Sequence, residues 1–375
     1  MNFSINRDSL LNALNSVSKG LSNKTPLPTL TGIYLNVLED KIIFITTNRE
    51  LSIKVEVPAN NDLQIENTGS CLIPGKYFVE IIKKVEGEKI NISFFDDSAI
   101  KITTERSQFT LNPLDKNNFP KYSFDGAGEP IVFTSQDLKK IIRQTSFSAS
   151  SSEQRMVLTG VNFEINGSEL SITSTDSFRL SRKITSLKNT YDKKQINVPS
   201  KAIEELNKIL EEDENEVKLY LISNKALFQY KNISFMTRLI EGTYPDVSSL
   251  FPKNYLFNIT FNKNELVSAI ERASLLTSND NLSLVKLQVT DKQKVKILSA
   301  STEIGNVEEE VYPTQISEIN HFTIAFSSKY LLEAVKSFES NEISINFTGE
   351  IKPFVVNSSI DQGLTQLILP VRIFN

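Results

Sequence analysis

Apolar residues recur at helical spacing in three segments, each entered from a short run in which apolar and polar positions alternate: FSINRDSLLNALNSVS from Phe3, VFTSQDLKKIIRQTSFS from Val132 and ITFNKNELVSAIERAS from Ile259. Each pattern predicts a strand leading into an amphipathic helix, because a period of 2 alternates sheet faces and a period of 3.6 keeps one helix face apolar. The matching leucines, Leu10, Leu138 and Leu266, stand 128 residues apart. The chain is a threefold repeat, and a period that long means a repeated structural unit. The same interval separates Thr31-Gly32 (TGIYLNVLEDKIIFITT) from Thr159-Gly160 (TGVNFEINGSELSITST), and LVKLQVTDKQKVKILSA from Leu284 is a more diverged third copy. Period 2 predicts hairpins there.

Each repeat holds a second strand and helix, beginning CLIPGKYFVEIIKK at Cys71, INVPSKAIEELNKIL at Ile196 and FTIAFSSKYLLEAVK at Phe322. Phe119-Pro120 and Tyr244-Pro245 close runs of β-type residues, and proline removes a ladder donor, so strands stop there. Boundaries near 125 and 250 follow. The expected organisation is α+β, with repeats at 1–125, 126–250 and 251–375.

In the second helix of every repeat, lysines stand seven apart: Lys76 and Lys83, Lys201 and Lys208, Lys329 and Lys336. Seven residues is about two turns, so each pair shares a face, while Phe78, Ile81, Ile82 and Val85, or Ile203, Leu206 and Leu210, or Leu331, Val335 and Phe338, occupy others. In the helix from Gln136, Lys139, Lys140 and Arg143 fall within roughly 100° of one another, opposite Leu138, Ile141, Ile142 and Thr145. Arg7, Lys19, Lys263 and Arg272 extend the theme less regularly. An exposed helix face is ordinarily charged, which accounts for any one pair. Recurrence at matched positions argues for a shared role. Lysines that reach phosphates without reading base edges bind DNA without sequence preference.

Composition limits that role. With 41 Lys and Arg against 45 Asp and Glu, the net charge is −4, which excludes a chain that grips nucleic acid over its whole surface. His321 is the only histidine, and no HExxH, CxxC, GxSxG or GxxxxGK[ST] motif occurs, so neither a catalytic site nor a cofactor or metal is expected. No run approaches the ~18 apolar residues of a membrane span. No basic segment followed by an apolar run opens the chain, and the single cysteine, Cys71, cannot close an internal disulfide. A cytoplasmic protein is expected.

Four further stretches, SKGLSNKTPLPTLTGI (18–33), SITSTDSFRLS (171–181), LIEGTYPDVSSLFP (239–252) and QLILPVRIFN (366–375), complete a pattern that resembles the β subunit of bacterial DNA polymerase III, the sliding-clamp family, over the whole length. The resemblance implies three clamp domains per chain, two helices of each facing inward and antiparallel sheets outward, and a head-to-tail homodimeric ring around duplex DNA. It implies a non-catalytic processivity factor that tethers the replicative polymerase and is placed on DNA by a clamp loader.

By the same resemblance, partner proteins dock a linear motif in a hydrophobic pocket formed by Leu158, Thr175, Ser177, Phe178, Arg179, Leu180, Pro245, Ser249 and Leu250. Pro353, Phe354, Leu367, Leu369, Pro370, Val371 and Arg372 complete it. An apolar groove with few polar groups is what a peptide anchored by hydrophobic side chains requires. Ser177, Phe178 and Ser249 depart from the residues that relatives often carry, which bears on motif preference. DNA contacts are implied for Lys24, Arg155, Lys201 and Tyr330, alongside the helix lysines. The dimer interface is implied to pair Leu275 and Leu276 with Tyr77, Phe109 and Leu111, although Leu275 and Leu276 could equally be core.

Other features read as ordinary. EEDENE (211–216) reads as a solvated helix end and turn, Asp176 as a turn former after a strand, Cys71 as a small buried apolar residue and His321 as a loop or strand-edge residue. Two competing readings are an enzyme acting on nucleic acid through a carboxylate metal site, for which no clustered acidic motif is present, and a repeat scaffold that binds only proteins.

Overall fold

The computed structural model describes residues 1–22, 25–95, 98–277, 283–291, 294–301, 303–319 and 321–372. Its helices are α1 (Arg7–Val17), α2 (Gly75–Lys84), α3 (Ser135–Thr145), α4 (Ser200–Ile209), α5 (Lys263–Ser274) and α6 (Ser328–Lys336). All six lie where the apolar spacing predicts them. α1, α3 and α5 each follow a short strand, and the residue at the junction caps the helix. The Asn6 side chain accepts from the amides of Asp8 and Ser9, Asn262 accepts from Asn264 and Glu265, and Thr134 accepts from Asp137. These caps satisfy amides that the first turn leaves without partners. Asn6, Thr134 and Asn262 keep the interval of 128 residues.

The repeat leucines Leu10, Leu138 and Leu266 are fully buried, as are Phe78, Ile82, Ile203, Leu206, Leu331 and Val335 on the second helices. Each contributes about 1.5–3 kcal/mol by leaving water. Ile81 is the exception on the expected apolar faces, being half-buried.

The strands are antiparallel throughout and form four sheets among the described residues. Strands Leu63–Asn67, Asn2–Asn6, Lys89–Phe95, Ala99–Thr103 and Gln108–Leu111 form one, in that order. A second runs Ile131–Thr134, Glu216–Ile222, Lys225–Tyr230, Ile233–Arg238, Leu51–Pro58, Lys41–Thr47, Gly32–Val37 and Gly69–Pro74. A third runs Gly160–Thr175, Arg179–Pro199, Leu364–Ile368, Phe354–Asn357, Glu342–Phe347, Phe257–Asn262 and Gln315–Ile316, and the fourth Gly305–Val311, Lys294–Ser301, Leu284–Asp291 and Phe322–Ser327. The hairpins expected from Thr31 and Leu284 are present. In the stretch from Thr159 the register shifts on either side of Gly167, whose φ of 63° marks the expected turn.

Two sheets cross the sequence boundaries. Ile233–Arg238 of the central repeat pairs with Leu51–Pro58 of the first, and Arg179–Pro199 pairs with Leu364–Ile368 of the third. Accordingly the chain forms two compact units, residues 1–138 with 205–239, and residues 139–204 with 240–375. Three repeats in sequence thus become two units in packing, because ladder hydrogen bonds divide the central repeat.

The first unit makes use of EEDENE in a way its composition conceals. The Ser135 hydroxyl and amide donate to the carbonyls of Glu211 and Asn215, and the Gln136 amide donates to the Asp213 carbonyl, so the loop seats the start of α3. Lys231 donates to Asp213 and Glu211 (2.8 and 2.6 Å), and the Tyr230 hydroxyl to Asp213 (2.9 Å). The ammonium beside it, against opposing desolvation, holds the Asp213 carboxyl well below its usual range. The stretch is the exposed helix end and turn expected from its composition, with Glu211 and Asp213 in addition partnered by Lys231. Cys71 is buried as expected, and burial pushes its thiol up to about 12, which keeps it inert. His321 is exposed just before the strand Phe322–Ser327.

In the second unit the buried carboxylate of Asp361 accepts from the Glu339 and Ser340 amides, the Ser358 hydroxyl and the Gln144 amide group at 2.8–3.2 Å. Burial opposes its ionisation, but these donors outweigh it and the carboxyl is lowered. A lowered carboxyl stabilises the fold above its unfolded value and loses that contribution as pH falls through the folded value. Asp361→Asn is expected to cost about 1–3 kcal/mol at neutral pH and to flatten the fall in stability below about pH 4; urea unfolding at pH 7 and pH 3 checks both.

Candidate functional site

In the second unit, strand Gly160–Thr175 turns through Asp176, Ser177 and Phe178 into Arg179–Pro199. The Asp176 carboxylate accepts from the amides of Phe178 and Arg179 at 2.9 and 3.0 Å, and Thr175 Oγ1 accepts from the Ser177 amide at 3.1 Å. Asp176 is therefore a turn former, as its sequence context indicated. Ser177 takes φ 78°, a left-handed conformation that disfavours any residue with a Cβ. The turn holds Phe178 outward, 59% exposed. The Leu369 amide donates to the Phe178 carbonyl at 2.9 Å and the Val371 amide to Ala325 at 2.7 Å, so the C-terminal segment is anchored beside the turn.

The strand register sorts the neighbouring side chains onto two faces. Leu180 lies opposite Leu367, and Leu367 opposite Val355. The three form an apolar cluster against which Val247 and Phe251 pack. One position along, Arg179 lies opposite Ile368, and Ile368 opposite Phe354. Strand side chains alternate in direction, so this second row points the other way. Ile368 and Phe354 belong to the core, where Phe354 is 0% exposed and its ring lies 5.3 Å from Phe326 and 5.6 Å from Phe347. Phe354, expected near the pocket, lies in this core row, and Val355 is the residue that shares a face with Leu180 and Leu367.

The other pocket candidates differ in their exposure. Leu158, Thr175, Arg179, Leu180 and Leu367 are buried, whereas Ser177, Pro245, Ser249, Leu250 and Arg372 are exposed. Pro353, Leu369, Pro370 and Val371 are half-buried. Val247, Phe251 and Val355 were missed. Val247 and Phe251 fall within the quoted stretch 239–252, but only the register of distant strands shows that Val355 shares a face with Leu180.

Arg179 is engaged within the fold. It is 8% exposed, donates to Asp176 (3.1 Å), to the Phe147 carbonyl (2.7 Å) and to Glu333, and stacks 4.5 Å from the Tyr330 ring. The side chain ties the turn to α6. Tyr330, expected to touch DNA, is half-buried against this guanidinium.

The lysine pairs of the second helices divide in a regular way. The second member carries an acidic partner every time: Lys83 with Glu80 (3.8 Å), Lys208 with Glu205 (2.6 Å) and Lys336 with Glu271 (2.6 Å). The first members, Lys76, Lys201 and Lys329, are exposed and have no ion pair among the described residues. Half of the expected basic stripe is thus locally neutralised. On α3, Lys140 pairs with Glu339 at 2.6 Å, Lys139 is half-buried, and Arg143 is exposed. Arg155 is exposed, and Lys24 lies outside the described residues.

A polar groove of about 650 Å³ in the first unit brings Lys19, Lys83, Lys208 and Lys231 together with Asn12 and Asn232. In the second unit a groove of about 500 Å³ is of mixed charge, with Lys140, Arg143, Lys263 and Lys336 facing Glu333 and Glu339.

Two sheet edges carry the residues expected at a dimer interface. Gln108–Leu111 ends its sheet, and Phe109 lines a groove of about 470 Å³ with Tyr77, which is 63% exposed. Gly305–Val311 ends another, and nearby α5 finishes at Leu275, 69% exposed, and half-buried Leu276. Leu275 is a surface residue, so its core alternative falls away. Leu111 is half-buried.

Among the described residues no group of three or more His, Cys, Asp or Glu side chains is placed to hold a metal ion, and no helix is long and apolar enough to cross a membrane.

Models of the DNA polymerase III beta subunit match the chain along its length, the N-terminal domain over residues 1–123, the central domain over 133–246 and the C-terminal domain over 248–372. The beta sliding clamps of Staphylococcus epidermidis and Staphylococcus aureus are each 38% identical over 378 aligned residues, covering all of both chains. The crystal structure of the DNA polymerase sliding clamp from Bacillus subtilis superposes with a TM-score of 0.92 at 35% identity over 100% of both chains. The DNA polymerase III beta chain of Streptococcus pneumoniae superposes with a TM-score of 0.93 at 33% identity, over 99% of this chain and 100% of its own. With its repeated strand–helix units and full-length likeness to these non-catalytic subunits, the chain belongs to the DNA polymerase III beta subunit family, the bacterial sliding clamps.

Proposed function

We propose that two copies of this chain close head to tail around duplex DNA in the cytoplasm, slide along it without sequence preference and tether the replicative polymerase. The recurrence of one exposed, unpaired lysine at the start of the second helix in each repeat, on a chain with net charge −4, carries the reading. Lys76, Lys201 and Lys329, with Arg155, form the principal phosphate contacts. The paired lysines Lys83, Lys208 and Lys336, together with Lys139, Lys140 and Arg143, supply a weaker surrounding field. Such a surface attracts the backbone while leaving the base edges unread, so the DNA stays free to move. Lys24 belongs to the same set by resemblance. Tyr330 acts chiefly through its contact with Arg179. The three clamp domains are assigned to 1–125, 126–250 and 251–375.

Closure joins the surface with Tyr77, Phe109 and Leu111 to the surface with Leu275 and Leu276, which explains why Tyr77 and Leu275 stand exposed beside two edge strands. Partner motifs, including those of the polymerase and the clamp loader, dock on the Leu180, Leu367 and Val355 cluster. Exposed Phe178 and Leu250 and the Pro245, Ser249, Pro353 and Leu369–Arg372 rim surround it. The protein loaded on nicked circular DNA should remain bound through gel filtration and be lost when the circle is cut open. Equal loss from both forms would refute encirclement.

A further inference from the structure

Arg182 has a setting unlike that of the other arginine in its strand. Side chains alternate along Arg179–Pro199, so Arg182 shares the face of Leu180 and lies one row beyond it, opposite Thr365. It is half-buried, and its guanidinium carbon stands 3.6 Å from the centre of the Phe251 ring. Phe251 itself packs against Leu180, Leu367 and Val355. Whereas Arg179 has two carboxylates and a carbonyl, the Arg182 guanidinium has no hydrogen bond or ion pair among the described residues. Burial alone acts on it, disfavouring its charge, and no acid offsets that. The charges close in sequence are otherwise engaged: Lys183 donates to the Gln362 carbonyl, and the Asp246 carboxylate accepts from the Ser248 amide. Stacking occupies the face of the guanidinium and leaves its in-plane donors open. A bidentate carboxylate fits that fork.

We propose that Arg182 is a specificity-determining residue of the docking face, binding a carboxylate on the docked peptide. The inference rests on the docking role assigned to the Leu180, Leu367 and Val355 cluster. Alternate side chains of an extended peptide stand about 7 Å apart on one face, the same spacing as Leu180 and Arg182. A peptide with an apolar side chain on the cluster therefore presents a residue two positions away to Arg182. The occupant is a linear motif with an acidic side chain two positions from its apolar anchor.

Fluorescence anisotropy with labelled peptides tests this on the full-length protein, with its association state monitored by sedimentation. One peptide carries Asp two positions from the anchor and its match carries Asn. A second pair, with Asn there, differs only in a free or amidated C-terminus at that distance. On the unmodified protein Asp should be preferred over Asn by roughly fivefold. Arg182→Gln should abolish the preference while the Asn peptide still binds, and Arg182→Glu should reverse it. A preference for the free over the amidated C-terminus, lost in Arg182→Gln, without a preference for Asp over Asn would overturn the acidic side chain as the occupant. Equal Asp/Asn and free/amidated ratios in the unmodified and Arg182→Gln proteins, with the Asn peptide still bound, would overturn the role of Arg182 alone. Failure of every peptide to bind would overturn the docking face and this proposal together.

Discussion

Phe354→Ala should destabilise the second unit by about 3–5 kcal/mol, whereas Val355→Ala, one residue away, should act mainly on peptide docking. Phe354 is wholly buried, with its ring 5.3 Å from Phe326 and 5.6 Å from Phe347, and Phe347 in turn lies 5.0 Å from Phe257 and 4.9 Å from Phe322. Removing one ring from this set leaves a cavity that the flanking strands cannot close, since ladder pairs to Asn346 and Ile368 hold the backbone in place. Val355 stands on the opposite face with Leu180 and Leu367, beneath Val247 and Phe251. Its truncation removes part of the docking floor. Denaturant unfolding and peptide anisotropy on the two variants separate the roles. A Phe354→Ala protein of full stability with impaired docking would return Phe354 to the pocket wall.

Arg179→Ala should cost about 3–5 kcal/mol, because it strands two carboxylates that the guanidinium now partners. Asp176 and Glu333 converge on this buried side chain, and the Phe147 carbonyl accepts a further hydrogen bond from it. Removing the cation also withdraws the stacking partner of Tyr330. The consequence reaches the docking face through the turn. Asp176 both holds Arg179 and accepts from the amides that shape residues 176–178, where Ser177 is kept in a left-handed conformation. A loosened Asp176 lets Ser177 relax and moves Phe178. Peptide affinity should therefore fall by about tenfold or more, while Arg179→Lys, which keeps a charge but loses the planar fork, should lie between the two. Urea unfolding and peptide anisotropy check the pair of effects, and unchanged stability in Arg179→Ala would show that Glu333 and Asp176 do not depend on the guanidinium.

The residues most readily understood from sequence are those whose partners are near in the chain. Leu10, Leu138 and Leu266 announce both the repeat and the buried face of three helices, because helical periodicity is local and the same turn is used three times. The apolar faces of the second helices follow for the same reason. The lysine pairs are half legible. Their common face follows from helix geometry, but Lys336 and Lys140 are neutralised by Glu271 and Glu339, which are distant in sequence and adjacent only once the chain is folded. EEDENE is legible as an exposed helix end and turn, but its partners Lys231 and Tyr230 arrive from a hairpin that follows it.

The docking face shows the division most clearly. Family resemblance marks the stretches around Arg179, Pro245 and Leu367, yet it cannot say which side of each strand faces out. A shift of one residue exchanges Phe354 for Val355 and a core ring for a docking floor. Arg179 and Arg182 look alike in the sequence, and only the fold makes one a tie to α6 and the other a stacked cation without a partner.

By itself the sequence determined the threefold repeat, the six amphipathic helices with their buried leucines, the overall acidity with a recurrent basic helix face, and the family. All of these depend on periodicity or on short contiguous motifs, which the chain carries locally. Tertiary structure decided how the central repeat is divided between two compact units, which lysines of the second helices have no ion pair among the described residues, and which side chains form the Leu180, Val355 and Leu367 cluster. Those outcomes are set by strand register and by ion pairs between residues far apart in the chain, so they come into being only when the sheets assemble.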